Sequence, residues 1–295
     1  MKQINIRTFK DKWNSYRKNP LSLILFLLVT LAAAITILVL AFLIVYILIK
    51  GIPNLSLDLF TTPYKPGVGQ YGIQTMIVST LLLVVTTLII VTPIGICAAI
   101  YLNEYAKKGR GLEMIRFATE SLAGIPSILY GLFGYAMFVV FLGLKYSIVS
   151  GALTLAVMCL PVVVRNTEQA LGSVPDSYRE GSLALGAGKL RTICKVVLPN
   201  AMSGILTSVI LSIGRIVGET AAIIYTMGST VGMPSGIFSS GRSLSVHLYF
   251  LAKEGVSFES AFAVAVVLLV IVALINQLAT MAAKMVGKKA KGGKA

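Results

Sequence analysis

The residues most able to do chemistry form a charged pair inside an apolar stretch. Within ILSIGRIVGETAAIIYTMG, Ile210 to Gly228, the charged residues are Arg215 and Glu219, four positions apart. A charged side chain at the centre of a membrane-buried helix costs at least about 2.5 kcal/mol on insertion scales. Residues four apart share a helix face, so the glutamate can neutralise the arginine. A guanidinium also presents a fork of donors that suits a tetrahedral oxyanion.

Two interpretations of this pair remain open from the residues alone. It is either a structural ion pair that locks two helices, or a substrate site in which Glu219 holds Arg215 when no anion is bound. Ser208 and Ser212 extend the polar face, and small residues beside them permit a neighbouring helix to approach closely. We assign both serines to the same predicted pathway. Arg165, in PVVVRNTEQA, is a second candidate, either a pathway residue or an anchor at the membrane interface.

Other familiar chemistries lack the residues that they need. Gly67–Gly72 matches a dinucleotide fingerprint, but no strand precedes it and an apolar helix follows. Gly181 and Gly186 have the spacing of a P-loop, yet Ala187 stands where the lysine is required. The single histidine, His247, is predicted to be an ordinary interfacial residue, and the three cysteines lack metal-ligand spacing. We therefore predict no catalytic residue, no metal and no cofactor bound by this chain.

Composition places these residues in a membrane protein. Of 295 residues, 56% are hydrophobic and 13% charged, against about 25% charged in soluble domains. Uncharged runs of about 18 residues or more predict transmembrane helices. The predicted fold class is all-α integral membrane, with six segments: Leu21–Ile49, Ile73–Leu102, Phe117–Leu142, Ile148–Val164, Ala201–Met227 and Ser260–Met281.

Lysine and arginine are concentrated in alternate connecting segments. They occupy the N-terminal tail, segments 103–116 and 165–200, and the C-terminal tail. The positive-inside rule therefore predicts that both termini are cytoplasmic, and the net charge of +15 indicates topology rather than nucleic-acid binding. We divide the chain into a basic tail, 1–20, a six-helix domain, 21–283, and a basic tail, 284–295. The first tail is either an interfacial helix around Trp13 or a frayed end.

The longest predicted cytoplasmic segment, 174–200, has the signals of two short helices. Ser177 and Glu180 have the spacing of a capping box, which predicts a helix start. Gly186 can end that helix, Lys189–Val197 is predicted to be a second helix, and Pro199 suits the start of the fifth span. Such an exposed knob is well shaped for a partner's groove.

This segment resembles the EAA loop of ABC-importer permeases. The pattern Glu180-x5-Gly186-x9-Val196-x-Leu198-Pro199 matches that loop, with small residues in place of its alanines and Val196 in place of isoleucine. In this family the loop forms the coupling helix that docks into an ATP-binding subunit. The resemblance assigns coupling to the residues Glu180, Gly181, Ser182, Leu185, Gly186, Leu198 and Pro199.

Four further motifs narrow the resemblance to PstA-type permeases of phosphate importers: SLAGIPSILYGLFG, PVVVRNTEQAL, GRIVGETAAIIYT and SVHLYFLAKEG. It covers essentially the whole chain and implies a type I importer permease in a prokaryotic cell membrane. The implied partners are a PstC-type permease, a PstB-type ATPase dimer that uses ATP and Mg²⁺, and an external phosphate-binding protein, PstS. Arg165 and Arg215 match arginines implicated in phosphate translocation, and residues 232–242 are a docking candidate for PstS.

Several alternatives stay open at this point. The chain could be a permease for another oxyanion, such as sulfate or molybdate, because the loop fits equally well. It could be a gradient-driven anion transporter, which would have no use for the 174–200 loop. A membrane scaffold that relays phosphate status is a third reading. If the substrate is phosphate, an ionised Glu219 could accept a hydrogen bond from protonated phosphate and repel sulfate.

Overall fold

Helices account for nearly all of the computed structural model, which describes residues 20–65, 67 and 70–292. The α-helices are α1 Pro20–Gly51, α2 Leu57–Thr61, α3 Gln74–Ile100, α4 Arg110–Ala123, α5 Ser127–Gly134, α6 Ile148–Gly172, α7 Asp176–Ala184, α8 Lys189–Thr192, α9 Leu198–Gly218, α10 Ala221–Ile224, α11 Leu244–Lys253 and α12 Phe258–Gly292. A 3₁₀ turn, Ile52–Asn54, follows α1. Strands β1, Tyr64–Lys65, and β2, Gln70–Tyr71, form a small antiparallel hairpin. The predicted interfacial helix around Trp13 lies outside the described residues, as do positions 68 and 69 of the glycine-rich turn.

Three helices continue into short π-helical segments. These are Tyr101–Tyr105 after α3, Tyr135–Phe141 after α5, and Ile193–Val197 between α8 and α9. The last precedes Pro199, whose missing N–H removes one regular helical hydrogen bond. The helix nevertheless continues through this segment. Residues Lys189–Gly218 form one 30-residue helical stretch that joins the loop to the membrane span.

The all-helical membrane fold is confirmed, although several spans differ in their bounds from the prediction. In the described chain five helical stretches are long and apolar enough to cross a membrane, at Leu21–Asn54, Gln74–Tyr105, Ile148–Gly172, Lys189–Gly218 and Phe258–Met281. A sixth would be the pair Arg110–Ala123 and Ser127–Phe141, which is bent by 99°. The third predicted span, Phe117–Leu142, is bent rather than straight, because Pro126 lacks an amide donor and disfavours a helical conformation at Ile125.

The fifth predicted span, Ala201–Met227, also ends early. Helix α9 stops at Gly218, and Glu219 has an extended backbone with ψ of 137°. Helix α10 then resumes for four residues. The sixth predicted span, Ser260–Met281, matches the observed Phe258–Met281, and helix α12 continues beyond it through residue 292 into the predicted basic tail.

Helix α6 lies at the centre of the bundle. The most apolar part of α6 is 67% buried, whereas that of α1 contains no buried residue. Helices α3 and α9 pack along α6, α12 packs against α9, and α1 packs against α12 at the periphery. Exposed leucines and isoleucines on α1 suit a surface solvated by lipid, where apolar side chains lose nothing by facing outward.

The two ends of the bundle differ. One end, here the loop end, carries α7 and α8 and a core cluster that includes Leu102, Leu171 and Val197. The opposite end, here the hairpin end, carries the β-hairpin and α11, with a cluster that includes Ile73 and Leu244. Between them a central cluster joins α3, α6, α9 and α10.

Candidate functional site

The fifth span breaks at Glu219, and the carboxylate of Glu219 stabilises the break. Its Oε1 accepts hydrogen bonds from the backbone N–H groups of Thr220 and Ala222, both at 3.2 Å. The Ser245 hydroxyl donates to the Glu219 carbonyl oxygen at 2.6 Å. Gly218, the last helical residue, is a poor helix former. Local side-chain acceptance of backbone donors therefore competes successfully with continuation of the helix.

The predicted Arg215–Glu219 ion pair is absent. Arg215 makes no hydrogen bond or ion pair with any residue that the structure describes. Residues four apart share a face only in a continuous helix, and the extended backbone at Glu219 removes that face. Arg215 is instead half-buried and within electrostatic range of Tyr130 and Cys159. The result is a guanidinium in the membrane-spanning region whose donors are available to an anion.

The break in the fifth span contacts the break in the third. Helix α10 packs against α5, and a Cβ added to Gly131 would lie 2.9 Å from the Cα of Ala222. Tyr130 donates from its hydroxyl to the Leu122 carbonyl at 2.7 Å, which joins α5 to the end of α4 across the bend. Non-helical backbone at membrane depth occurs where it is buried in protein or lines a cavity. The two breaks together place irregular backbone beside Arg215.

Ser208 and Ser212 precede Arg215 on the same helix and are buried. Ser208 is fully buried and its hydroxyl approaches that of Thr167 on α6 at 3.4 Å. The Ser212 hydroxyl donates to the Ser208 carbonyl at 2.9 Å. Gly204 on the same row abuts Ala170, so this row forms the close α6–α9 contact that small residues predict. Its assignment to a substrate pathway stays a prediction.

Arg165 belongs to a four-charge cluster at the loop end. It forms an ion pair with Glu120 of α4, while Glu168 of α6 forms one with Arg116 of α4. The four side chains line a cavity of about 300 Å³ together with Asn103 and other residues. Arg165 and Glu168 therefore do not pair with each other. Arg116 and Glu120 were not predicted as site residues. A signal was present, because each helix carries an arginine and a glutamate about one turn apart, in an arrangement that allows two ion pairs between the helices.

Segment 174–200 forms the predicted helix, turn and helix. Helix α7 begins at Asp176 after Pro175, without a side-chain cap, so the predicted capping box of Ser177 and Glu180 is wrong. The turn is where predicted, since Gly186 has φ of +83°, a conformation that glycine adopts without strain. Glu180, Gly181 and Leu185 are exposed, Leu185 at 90%.

The rest of the predicted coupling set lies closer to the bundle. The Ser182 hydroxyl bonds that of Thr192 at 2.9 Å, which joins α7 to α8. Leu198 and Pro199 are partly buried at the start of α9. The turn around Leu185 is exposed while the two helices beside it are joined by a hydrogen bond, an arrangement that suits the docking of another protein.

The prediction that His247 is an interfacial residue is wrong. The side chain is fully buried in the protein at the hairpin end. Its ring stands edge-on to Tyr64 with 4.7 Å between centroids. Neither ring nitrogen has a hydrogen-bond partner in the described chain. Burial, with a smaller contribution from the nearby Arg242 guanidinium, lowers the pKa of His247 to about 3. His247 is therefore a neutral packing residue near neutral pH.

The fold combines broken spans with an exposed helical loop that continues into one of them, and it is shared with solved ABC transporters. The chain superimposes on a bacterial ABC transporter for import of the acidic polysaccharide alginate with TM-score 0.60, at 18% identity, covering 92% of this chain and 98% of that one. It also matches the MetNI methionine ABC transporter with TM-score 0.56, at 20% identity, over 73% of this chain and 94% of that one.

The chain belongs to the family of binding-protein-dependent transport system inner membrane components, which its residues 91–291 match. It is 36% identical to the probable ABC transporter permease YqgI of Bacillus subtilis, over 76% of this chain and 81% of that protein. It is also 36% identical to the phosphate transport system permease PstA of Xylella fastidiosa, over 66% and 68% of the two chains. Identity to PstA of Pasteurella multocida is 45%, over 60% and 63%.

Proposed function

We propose that this chain is the transmembrane permease subunit of an ATP-driven importer of inorganic phosphate. It would form half of the translocation pathway, with a second permease as the other half. Support comes from its similarity to phosphate transport permeases of several bacteria. The observation that carries the proposal is Arg215, an unpaired cation beside a helix break within a membrane span.

Arg215 would contact the phosphate during its passage. An arginine in the bilayer is costly unless it faces a partner or water, and no partner is found among the described residues. A phosphate offers several oxygens to the guanidinium fork. Glu219, one carboxylate oxygen of which holds the helix break, keeps a negative charge nearby that favours a protonated oxyanion.

Arg165 would act later along the same route. Its pairing with Glu120 at the loop end neutralises it in this conformation. Release of that pair would expose the guanidinium to an anion that leaves the bundle. Arg165 is therefore proposed as a pathway residue whose availability depends on the distance between α4 and α6.

The loop end is proposed to face the cytoplasm. The basic segments 103–116 and 165–200 lie at this end, as the positive-inside rule requires. Helices α7 and α8 would then dock into an ATPase dimer of PstB type, which binds ATP and Mg²⁺. A PstC-type permease and a PstS-type binding protein complete the proposed importer, in a prokaryotic cell membrane with both termini of this chain inside.

The test is reconstitution of the complex that co-purifies with the chain in mild detergent. The chain is tagged, the complex is placed in vesicles with ATP and Mg²⁺, and uptake of radiolabelled phosphate is measured with the binding protein present. We expect ATP-dependent phosphate uptake that excess sulfate or molybdate does not reduce. Uptake driven by an ion gradient without ATP, or preferred uptake of another oxyanion, would overturn the proposal.

Variants of Arg215 test the proposed site. Arg215→Gln should abolish uptake while the complex still assembles, and Arg215→Lys should retain part of it because the charge remains. Arg110→Gln is the matched control, since Arg110 is exposed at the first turn of α4. Loss of assembly in Arg215→Gln would instead indicate a structural role.

A further inference from the structure

Arg179 on α7 is the most extensively bonded side chain of the loop end. Its Nη2 donates to Oε1 of Glu104 at 2.8 Å, and its Nε donates to the same carboxylate at 3.2 and 3.3 Å. The guanidinium also donates to the carbonyl oxygens of Leu171 at 2.9 Å and Val174 at 2.7 Å. These bonds use the charge of arginine and also its planar donor fork, which lysine lacks.

The Arg179–Glu104 pair is largely withdrawn from solvent. The side chains are 17% and 8% exposed. Hydrogen bonding to Glu104 raises the pKa of Arg179 above its ordinary value, so the cation is retained. Removal of one partner from such a pair leaves an uncompensated buried charge, which makes the pair sensitive to single substitutions.

This pair connects two elements that have little else in common. None of the residues of α7 is buried, so α7 has little apolar packing to fix its position. Glu104 lies in the π-helical segment Tyr101–Tyr105, which continues α3. Within the part of the chain that the structure describes, the Arg179–Glu104 pair is the direct polar link between α7 and that segment.

A second contact fastens α8 to the same segment. The Lys189 ammonium lies over the Tyr105 ring, 4.6 Å from its centroid. The Ser182–Thr192 hydrogen bond holds α7 to α8. Both short helices of the loop are thus attached to Tyr101–Tyr105, a π-helical segment of the kind often found at functional sites.

We propose that Arg179 and Glu104 are a positioning pair through which the coupling loop moves α3, the second span, together with α9. The loop reaches α9 through the continuous backbone of Lys189–Gly218. It reaches α3 through side chains alone. Because α3 packs along the central helix α6, the pair would transmit displacement of the loop to the core of the bundle. This inference rests on the proposed function, in which the loop receives movement from an ATPase.

The experiment measures coupling in the reconstituted complex. Glu104→Gln and Arg179→Gln break the pair, and the double variant Glu104→Arg with Arg179→Glu restores it in reverse. Asp176→Asn is the control, because Asp176 also bonds Arg179 at 3.1 Å but is 86% exposed, where ion pairs contribute little. Phosphate uptake and ATP hydrolysis are measured together, and hydrogen exchange of residues 101–105 is followed with and without ATP.

In the single variants, phosphate imported per ATP hydrolysed should fall by roughly two- to thirtyfold, the effect of weakening one coupling link. ATP hydrolysis should persist, and residues 101–105 should no longer respond to ATP. The reversed pair should recover part of the ratio, and Asp176→Asn should match the natural chain. A natural ratio and an unchanged exchange response in both single variants would overturn the inference.

Failure of the variants to assemble and failure of the natural complex to import phosphate have different consequences. If the single variants fail to assemble, Arg179→Lys is measured instead, and a natural ratio in that variant would overturn the inference. If the natural complex imports no phosphate, the proposed function fails. The exchange measurement then decides about the positioning pair independently, because it needs only ATP binding by the complex.

Discussion

Acidification should destabilise this protein through His247, which is the single histidine of the chain. The ring is fully buried beside Tyr64 and its pKa is lowered to about 3. In the unfolded chain the pKa returns to about 6.5. Between these values the unfolded state binds a proton that the folded state excludes. Stability therefore falls as the pH drops through this window and is fully retained above about 6.5.

The size of the effect follows from the two pKa values. At pH 5 the unfolded histidine is about 1.5 units below its pKa, and each unit corresponds to about 1.36 kcal/mol. The free energy of unfolding should therefore be about 2 kcal/mol lower at pH 5 than at pH 7.5. Arg242→Gln should reduce this only in part, because burial is the larger cause of the lowered pKa.

Two assays measure this prediction directly. With a tag that contains no histidine, the nitrogen NMR signals of labelled imidazole report on His247 alone. Unfolding by a denaturing detergent at pH 7.5 and pH 5 gives the stability difference. His247→Leu is the matched variant, since it has similar volume, no proton to gain and no unpartnered ring nitrogens.

The natural chain should lose about 2 kcal/mol more than His247→Leu on acidification. The NMR signals should remain those of a neutral ring at pH 5. A ring that titrates with a midpoint near 6.5, or equal losses in the natural chain and in His247→Leu, would refute the reasoning. Either result would mean that the ring is reached by water or has a partner.

Three other substitutions test separate parts of the structure. Gly186→Val should cost about 1–2 kcal/mol of local strain at φ of +83° and weaken retention of the ATPase during purification. Gly186→Asn should retain the ATPase, because asparagine tolerates that conformation. Equal retention in the two variants would contradict the role of the turn at Gly186. Gly131→Val should lower the stability of the isolated chain by about 1–3 kcal/mol, because the added side chain would meet Ala222. Gly214→Ala is the control, since a Cβ at Gly214 meets nothing within 4 Å. Equal stability of the two variants would contradict the α5–α10 contact. Glu219→Gln keeps an acceptor for the backbone of the break but removes the charge, so sulfate should begin to compete with phosphate for uptake; unchanged discrimination in a competition assay would remove Glu219 from selectivity.

The spans and the loop could be predicted because their signals are local. Apolar runs set the membrane segments, and the glycine at 186 sets a turn that the structure places at the same residue. Hydropathy does not register a bend, so it indicated neither the bend in the third span nor the end of the fifth at Gly218. Pro126 was visible as a warning for the third, but the break at Glu219 depends on hydrogen bonds from Thr220, Ala222 and Ser245.

The candidate site divides in the same way. Arg215 and Arg165 could be selected by residue type, since charge in an apolar stretch is expensive and needs a reason. Their partners could not be selected, because pairing depends on which helix lies alongside. Glu120 is 45 positions from Arg165, and Glu104 is 75 positions from Arg179.

Sequence alone was enough to predict the membrane class, the approximate spans, the position of the turn at Gly186 and which charged residues are candidates for a site. These follow from hydropathy, from backbone preferences and from resemblance, all of which are carried by neighbouring residues. The tertiary structure decided that Arg215 is unpaired, that Arg165 is paired, that His247 is buried and that the loop is attached to α3. Those outcomes depend on distances between helices remote in the chain, and on the competition between a regular helix and side chains brought to it by the fold.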